Sequence, residues 1–379
     1  KMQQIIAYLL SMIGNIIAKI KNFFLPKKTI QFDNGPKVTL CHKIAEGGFS
    51  YIYYAKDKLD RTYACKRIIC NDEDVMINCQ KEAEVHKSVA VNCENLLQMY
   101  GIKFVKKQKA GIGTQTKCYM LFPLISGGSL RDEICKRALL HDNVEKARPI
   151  KEREILNIFK GILNGIKTLH EAGYAHCDVK LENVLLDRKK HMTSSPDEEI
   201  GSNNFSLGTP ILMDFGSVRN PLVVQLKDRR TVLTLTEEAL VNSTISYRAP
   251  ELFDGGCRHG ALEPDIDGKI DVWSAGCVLY GMMYGSSPFE LEFRNGDGGL
   301  SSDVRIVECT HLRVLGGKVP FPAAGSRRAA IFQYTPEIKQ LVEWILTVDR
   351  TERPTIEEVY DRVEKLLMSR HGGEMRSFR

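Results

Sequence analysis

The stretch that decides the reading of this chain is GYAHCDVKLENVLL, residues 173–186. It places His176, Asp178, Lys180 and Asn183 at a spacing that suits phosphoryl transfer. That chemistry needs a backbone cradle for phosphates, a fixed cation, metal ligands, and a carboxylate to orient the attacking hydroxyl. In this stretch Asp178 is the candidate carboxylate, Lys180 the group that balances charge on the transferring phosphoryl, and Asn183 a ligand for one metal ion.

The other parts occur elsewhere in a consistent order. Ile44-Ala45-Glu46-Gly47-Gly48-Phe49-Ser50-Tyr51-Ile52 lies between two strand-like runs and offers small residues where backbone N–H groups must approach phosphate oxygens. A Gly-Gly hairpin explains this segment equally well. Lys66, in Tyr63-Ala64-Cys65-Lys66, is the candidate fixed cation, although a lysine beside apolar residues commonly only snorkels. Its expected partner is Glu82, with Glu84 as the competing choice on a different helix face. Asp214, in Met213-Asp214-Phe215-Gly216, is the second candidate metal ligand. Mg²⁺ takes few protein carboxylates and fills its shell with phosphate oxygens, which suits so sparse a set, and Mn²⁺ is an alternative.

Around these motifs the chain is ordinary in bulk. Its 379 residues are 43% hydrophobic and 26% charged, enough to bury a large core. The eleven cysteines include no CxxC or CxxH pair, which argues against a zinc ribbon or a secreted disulfide framework and for a reducing, cytoplasmic setting. Of the net charge of +6, five units come from Lys1, Lys19, Lys21, Lys27 and Lys28, with no acid among residues 1–32. The remainder is close to neutral, so no nucleic-acid face is indicated.

Residues 1–36 read as an amphipathic basic segment, with apolar residues at 5, 6, 9, 10, 13, 16, 17, 20, 23 and 24 and Pro26 at the helix end. Its uncharged apolar part, about 14 residues interrupted by Asn15, is short of the ~20 needed to span a bilayer. Most of its charges follow the apolar run, unlike a signal peptide. It reads equally as an interfacial helix on an anionic membrane, through residues 1–28, or as a helix docked on the protein's own surface. Residues 37–125 read mainly as strands (37–47, 51–57, 62–70 and 118–125) with one helix at 76–89. Residues 126–368 read as helical, with a polar surface insertion at 188–210 and further loops at 255–265 and 294–303, and residues 369–379 form a tail. A small β-rich lobe followed by a larger helical lobe is an α+β layout with a cleft between.

Taken together these motifs resemble a eukaryotic protein kinase over roughly residues 37–368. The resemblance adds Ala249-Pro250-Glu251, Asp271-Val272-Trp273-Ser274-Ala275-Gly276, and Arg353 as the partner of Glu251. It implies the bilobal protein-kinase fold, ATP as phosphoryl donor, and a protein acceptor with a serine or threonine hydroxyl. Ile44, Ile52, Ala64 and Leu185 would sandwich the adenine, Phe122 would be the gatekeeper, and Pro123-Leu124-Ile125 the hinge. Pro123 has no N–H to donate there. Thr244 would hydrogen-bond both Asp178 and Lys180, as in serine/threonine kinases.

The EGGFSYIY loop, LTLTEEAL and TISYRAPELF are similar to the Numb-associated kinase family, in particular its myristoylated and palmitoylated serine/threonine kinase branch. That likeness implies an extra helix in the activation segment, here Thr234–Val241 with a threonine cap, and a peripheral place on endomembranes such as Golgi with a role in trafficking or signalling. The chain departs from the pattern in three ways. Ala45 and Ser50 replace the outer glycines of the loop, although both are small. The N-terminus has no Met-Gly start and no early cysteine, so acylation is not expected. Cys177 stands where kinases controlled by an activation-segment phosphate carry arginine. A neutral residue there points to an activation segment held by its own packing. Competing readings are a pseudokinase scaffold and a small-molecule phosphotransferase. Retention of Lys66, Asp178, Asn183 and Asp214 argues against the first, and the TISYRAPE segment against the second.

Overall fold

The computed structural model describes residues 28–33, 35–47, 50–109, 113–188, 207–254, 265–294 and 303–374. The expected N-terminal helix, Gly48 and Phe49, residues 189–206 of the insertion, most of the loops at 255–265 and 294–303, and the end of the tail lie outside the described residues. Two compact units divide the rest: residues 28–87 with 98–124, and residues 88–97 with 125–374. The first corresponds to a β-sheet N-lobe and the second to a helical C-lobe of the α+β protein-kinase fold. Among the described residues no helix is long and apolar enough to cross a membrane.

The first unit is an antiparallel sheet of β1 (Thr29–Gln31), β2 (Lys37–Glu46), β3 (Ser50–Asp57), β4 (Thr62–Cys70), β5 (Gly101–Lys109) and β6 (Gly113–Pro123), ordered β1-β2-β3-β4-β6-β5. Helix α1 (Glu73–Ser88) follows β4. Alternation along the strands sorts side chains to two faces. Register sets Ile52 opposite Lys66 and Ala64 opposite Phe122, so these four share one face. The opposite face carries Ile30, Phe32, Val38, Leu40, Ala55, Tyr63, Cys65, Tyr119 and Leu121, a buried apolar cluster. Gly101 approaches Phe32 so closely that an added Cβ would lie 3.1 Å from the Phe32 Cβ.

Three features differ from the sequence reading. The sheet begins at Thr29, inside the stretch assigned to the N-terminal segment, because Ile30 and Phe32 fill the core. Strand β5 was not read as a strand. Its lysines suit the edge position it occupies, where charge blocks pairing with another chain. Residues 88–97 belong with the second unit, where the Asn95 amide donates to the Pro210 carbonyl at 2.9 Å and Leu97 N–H to the Leu212 carbonyl at 2.9 Å.

In the second unit come α2 (Leu130–Lys136), α3 (Glu152–Glu171), the hairpin of β7 (Val184–Asp187) and β8 (Thr209–Leu212), α4 (Arg229–Asn242), α5 (Lys269–Tyr284), α6 (Pro336–Ile345) and α7 (Ile356–Glu374). Thr209 and Pro210, placed in the insertion by sequence, are the first residues of β8. Helix α3 is amphipathic and packs its apolar stripe on β8, α5 and α7. Helix α5 is buried all round, from Ile270 to Tyr284. It is apolar on every side and holds Gly276 where α6 comes close: an added Cβ there would meet Ile345 Cγ2 at 2.6 Å.

Candidate active site

In the second unit, α5 anchors the loop at residues 173–186. The Asp271 carboxylate is fully buried and accepts the backbone N–H groups of His176 (2.7 Å) and Cys177 (2.8 Å) and a hydrogen bond with His170 Nε2 (2.9 Å). Burial, the largest influence, pushes this carboxyl up, but the donors from His170 and His176 outweigh it and hold it below the usual carboxylate range. These bonds fix Cys177 at φ +67°, a left-handed conformation that costs a non-glycine residue of order 1 kcal/mol or more.

Asp178 projects from the next position into a closed network. Thr244 donates to Oδ1 through both its hydroxyl (2.8 Å) and its N–H (3.1 Å). Lys180 Nζ lies 2.6 Å from Oδ2 and 2.8 Å from the Thr244 hydroxyl oxygen. The Asn183 amide donates to the Asp178 carbonyl (2.8 Å) and to Oδ2 (3.1 Å). The expected bonds from Thr244 to both partners are present. A carboxylate oriented from both sides is equipped to align a hydroxyl and accept its proton.

Asn183 and Asp214 are brought together by backbone: Met213 N–H donates to the Asn183 carbonyl at 2.9 Å. Asp214 is exposed and left-handed at φ +66°, while Phe215 is buried edge-on against His176 with centroids 5.8 Å apart. Because the Asn183 nitrogen donates inward to Asp178, its amide oxygen is the atom left to ligate a metal ion, and Asp214 follows directly on the Met213 that is bonded to the Asn183 carbonyl. Two hard oxygens fit a divalent ion that completes its shell with phosphate and water. Among the described residues no group of three or more His, Cys, Asp or Glu side chains is placed to hold a metal ion. Leu185 is part-buried on β7, bridged to Ser129. Ile125 also lies in this unit.

In the first unit, Lys66 Nζ lies 2.7 Å from Glu82 Oε1, and Glu82 is only 3% exposed. Glu84 points to the exposed face of α1, which resolves the choice left open by sequence. Ile52, Ala64 and Phe122 lie on the same sheet face as Lys66, all but Phe122 partly exposed, and Ile44 is 45% exposed on β2. That is apolar surface suited to a flat base. Ala45 pairs with Ile52 and Glu46 with Tyr51, and Gly47 N–H closes the turn onto the Ser50 carbonyl at 2.9 Å. Pro123 ends β6 opposite Tyr63, and Leu124 follows it. Sequence reasoning missed His86, whose ring packs on Phe122 at 4.8 Å and lies 3.9 Å from Glu82. Its place four residues after Glu82, on one helix face, was the available signal.

The segment after Thr244 is tied down along its length. Arg248 donates to the Ser243 hydroxyl (2.8 Å) and carbonyl (3.0 Å), Ser287 to the Ser246 carbonyl (2.6 Å), and Ser274 to the Tyr247 carbonyl (2.8 Å). Arg353 meets Glu251 in the expected pair, bidentate at 2.7 and 2.9 Å, buried, and stacked 4.9 Å from the Trp273 ring. The expected activation-segment helix is present as α4, but it begins at Arg229 rather than Thr234. Its cap is Asp228, which accepts the Thr231 N–H at 2.7 Å, not a threonine. Burial, followed by the Asp271 charge, pushes the Cys177 thiol up to about 12, so it is a neutral thiol at physiological pH.

The family description "Protein kinase domain" matches residues 38–363. Human serine/threonine-protein kinase 16 is 31% identical over 341 residues, covering 89% of this chain and 92% of the relative. A probable serine/threonine-protein kinase of Dictyostelium discoideum is 28% identical, covering 89% of this chain and 95% of its own length. Actin-regulating kinase 1 of Saccharomyces cerevisiae is 25% identical over 86% of this chain and 43% of its own length.

Proposed function

Because the chain belongs to the protein kinase family, we propose that Asp178 aligns the serine or threonine hydroxyl of a protein substrate and takes its proton as the γ-phosphoryl group of ATP is transferred. The enzyme is a serine/threonine protein kinase, an ATP-dependent phosphotransferase. The observation that carries the assignment of roles is the Asp178–Lys180–Thr244–Asn183 network, in which every polar neighbour of the carboxylate holds it in one orientation. Lys180 balances negative charge beside the acceptor, and Thr244 fixes both Asp178 and Lys180. Lys66, held by Glu82, is the cation for the nucleotide phosphates. Ile44, Ile52, Ala64 and Leu185 would offer apolar surface to the adenine, and the glycine-containing loop at 45–50 is the candidate phosphate cradle. Asn183 and Asp214 would hold Mg²⁺, or Mn²⁺ in its place. The ion supplies charge neutralisation on the phosphate oxygens. Asp178→Asn, assayed on a generic protein acceptor with phosphoamino-acid analysis, should lose about 10²–10⁴-fold in turnover without a change in thermal unfolding. Retention of more than a tenth of the activity would overturn the assignment.

The fine family placement is the myristoylated and palmitoylated serine/threonine kinase branch of the Numb-associated kinases, supported by EGGFSYIY and by a helix at Arg229–Asn242. In this reading residues 1–28 hold the enzyme on the cytoplasmic surface of endomembranes such as Golgi, through apolar insertion and lysine attraction to anionic lipid, with a role in trafficking or signalling. Deletion of residues 1–28 should abolish sedimentation with phosphatidylserine vesicles, and unchanged binding would refute the membrane role. The neutral residue at 177 and the bonds around Ser243 support control of the activation segment by its own packing.

A further inference from the structure

Glu182 stands in the same turn as Lys180 and Asn183, four residues past Asp178. It thus lies in the turn that carries the groups proposed to meet the acceptor, where an unpaired carboxylate would attract arginine or lysine. Here the chain supplies the cation itself. Arg131, on α2, donates from Nε to Glu182 Oε1 at 2.8 Å, from Nη1 to the Gly285 carbonyl at 2.9 Å, and from Nη2 to the Tyr247 hydroxyl at 3.2 Å. Three separate elements therefore hold one guanidinium: the catalytic-loop turn, the C-terminus of α5, and the segment that follows Thr244. Helix α2 is itself fixed by a capping box in which Ser129 and Asp132 satisfy each other's backbone N–H groups. The other Glu182 oxygen, Oε2, is shielded from solvent and has no hydrogen-bond donor among the described residues. The Glu182 side chain is 44% exposed, yet one of its oxygens is occupied and the other faces inward. Its negative charge is thus offset by the Arg131 guanidinium before any peptide approaches.

We propose that Arg131 is a specificity-determining residue: by occupying Glu182 from within the chain, it makes the enzyme indifferent to basic residues around the acceptor hydroxyl. Arginine or lysine beside the acceptor hydroxyl then neither favours nor disfavours a substrate. Removal of Arg131 leaves both Glu182 oxygens without a donor, and a substrate arginine becomes the nearest cation able to satisfy them bidentately. The inference rests on the reading of Asp178 as the residue that meets the acceptor. Failure of that reading would appear as an active Asp178→Asn enzyme, whereas failure of the inference appears only in peptide selection.

The test is kcat/KM on an acceptor peptide in which each flanking position is replaced in turn by arginine. Wild type should change by less than about threefold at every position. Arg131→Ala, or Arg131→Gln should the first fold poorly, should gain about tenfold for arginine in at least one position, the size of one well-made charged contact. Arg131→Ala with Glu182→Gln should lose that gain. A purely structural role for Arg131 would lower activity on all peptides alike. The inference is overturned by a folded, active Arg131 variant with unchanged selection. It is also overturned by a wild-type preference for arginine that Glu182→Gln removes.

Discussion

The catalytic loop and helix α4 meet at Thr244 but are built on opposite plans. In the loop, Ala175, His176, Val179 and Leu181 are fully buried, and Asp271 gathers the turn from a helix that is itself buried on every side. Helix α4 buries Leu235 and Ala239 alone among its residues, while Leu233, Leu240 and Val241 are 58–85% exposed. Its ends are held by local bonds, Asp228 at the start and Ser243 with Arg248 at the finish. The reacting groups thus depend on the core of the second unit. Helix α4 depends on its caps and can be altered without disturbing that core.

Removing the loop's anchor should separate the two plans most sharply. Asp271→Ala leaves buried N–H groups of His176 and Cys177 without an acceptor, and should cost about 3–5 kcal/mol in urea unfolding, with activity lost in step. A cost under 1 kcal/mol would mean the loop holds its own shape. The same carboxylate is held below its ordinary range, so its contribution is present at neutral pH. It disappears as acid protonates it below the unfolded value near pH 4. Asp271→Asn should flatten the acid limb of the stability profile.

At the junction, Thr244→Ala removes a hydroxyl that bonds a carboxylate and an ammonium, and should lower turnover by about 10–100-fold with little effect on unfolding. Thr244→Ser should restore most of it. If alanine were as active as wild type, the loop would not need the segment that follows α4. The smallest effects belong to α4 itself. Asp228→Ala should cost about 1 kcal/mol of local stability, seen as faster amide exchange over residues 229–242 and not in the global transition. Phosphatase treatment should leave activity unchanged; its abolition would show that a phosphate, not packing, holds the segment.

Much of the site was legible in sequence because its chemistry is local. The spacing of Asp178, Lys180 and Asn183 is read within one turn, and the structure brings Thr244 to them as expected. What sequence could not settle was which face of a helix looks inward. Glu82 was the expected partner of Lys66 and is the one found, but that Glu84 looks outward appears only once α1 is laid on the sheet. The start of α4 was misplaced because Asp228-Arg229-Arg230 has no apolar residue to mark a helix, so the threonine run downstream looked like the boundary. Strand β5 was missed for a related reason: its lysines reflect an edge position, which is a property of the sheet rather than of the segment. Arg131 could not have been found at all, because its three partners come from residues 182, 247 and 285.

The Asp271 anchor also sets an order of events during synthesis. Asp271 leaves the ribosome ninety-four residues after Cys177, whose N–H it must receive. Helix α5, apolar on all sides, has no stable solvated form of its own and waits in turn for α6, which Gly276 admits at close range. A nascent chain therefore displays Asp178, Lys180 and Asn183 long before it can hold them in place. Competence to phosphorylate arrives late, once α6 has closed over α5, and a prematurely released fragment ending before residue 271 carries every letter of the loop but lacks the carboxylate that gathers its turn.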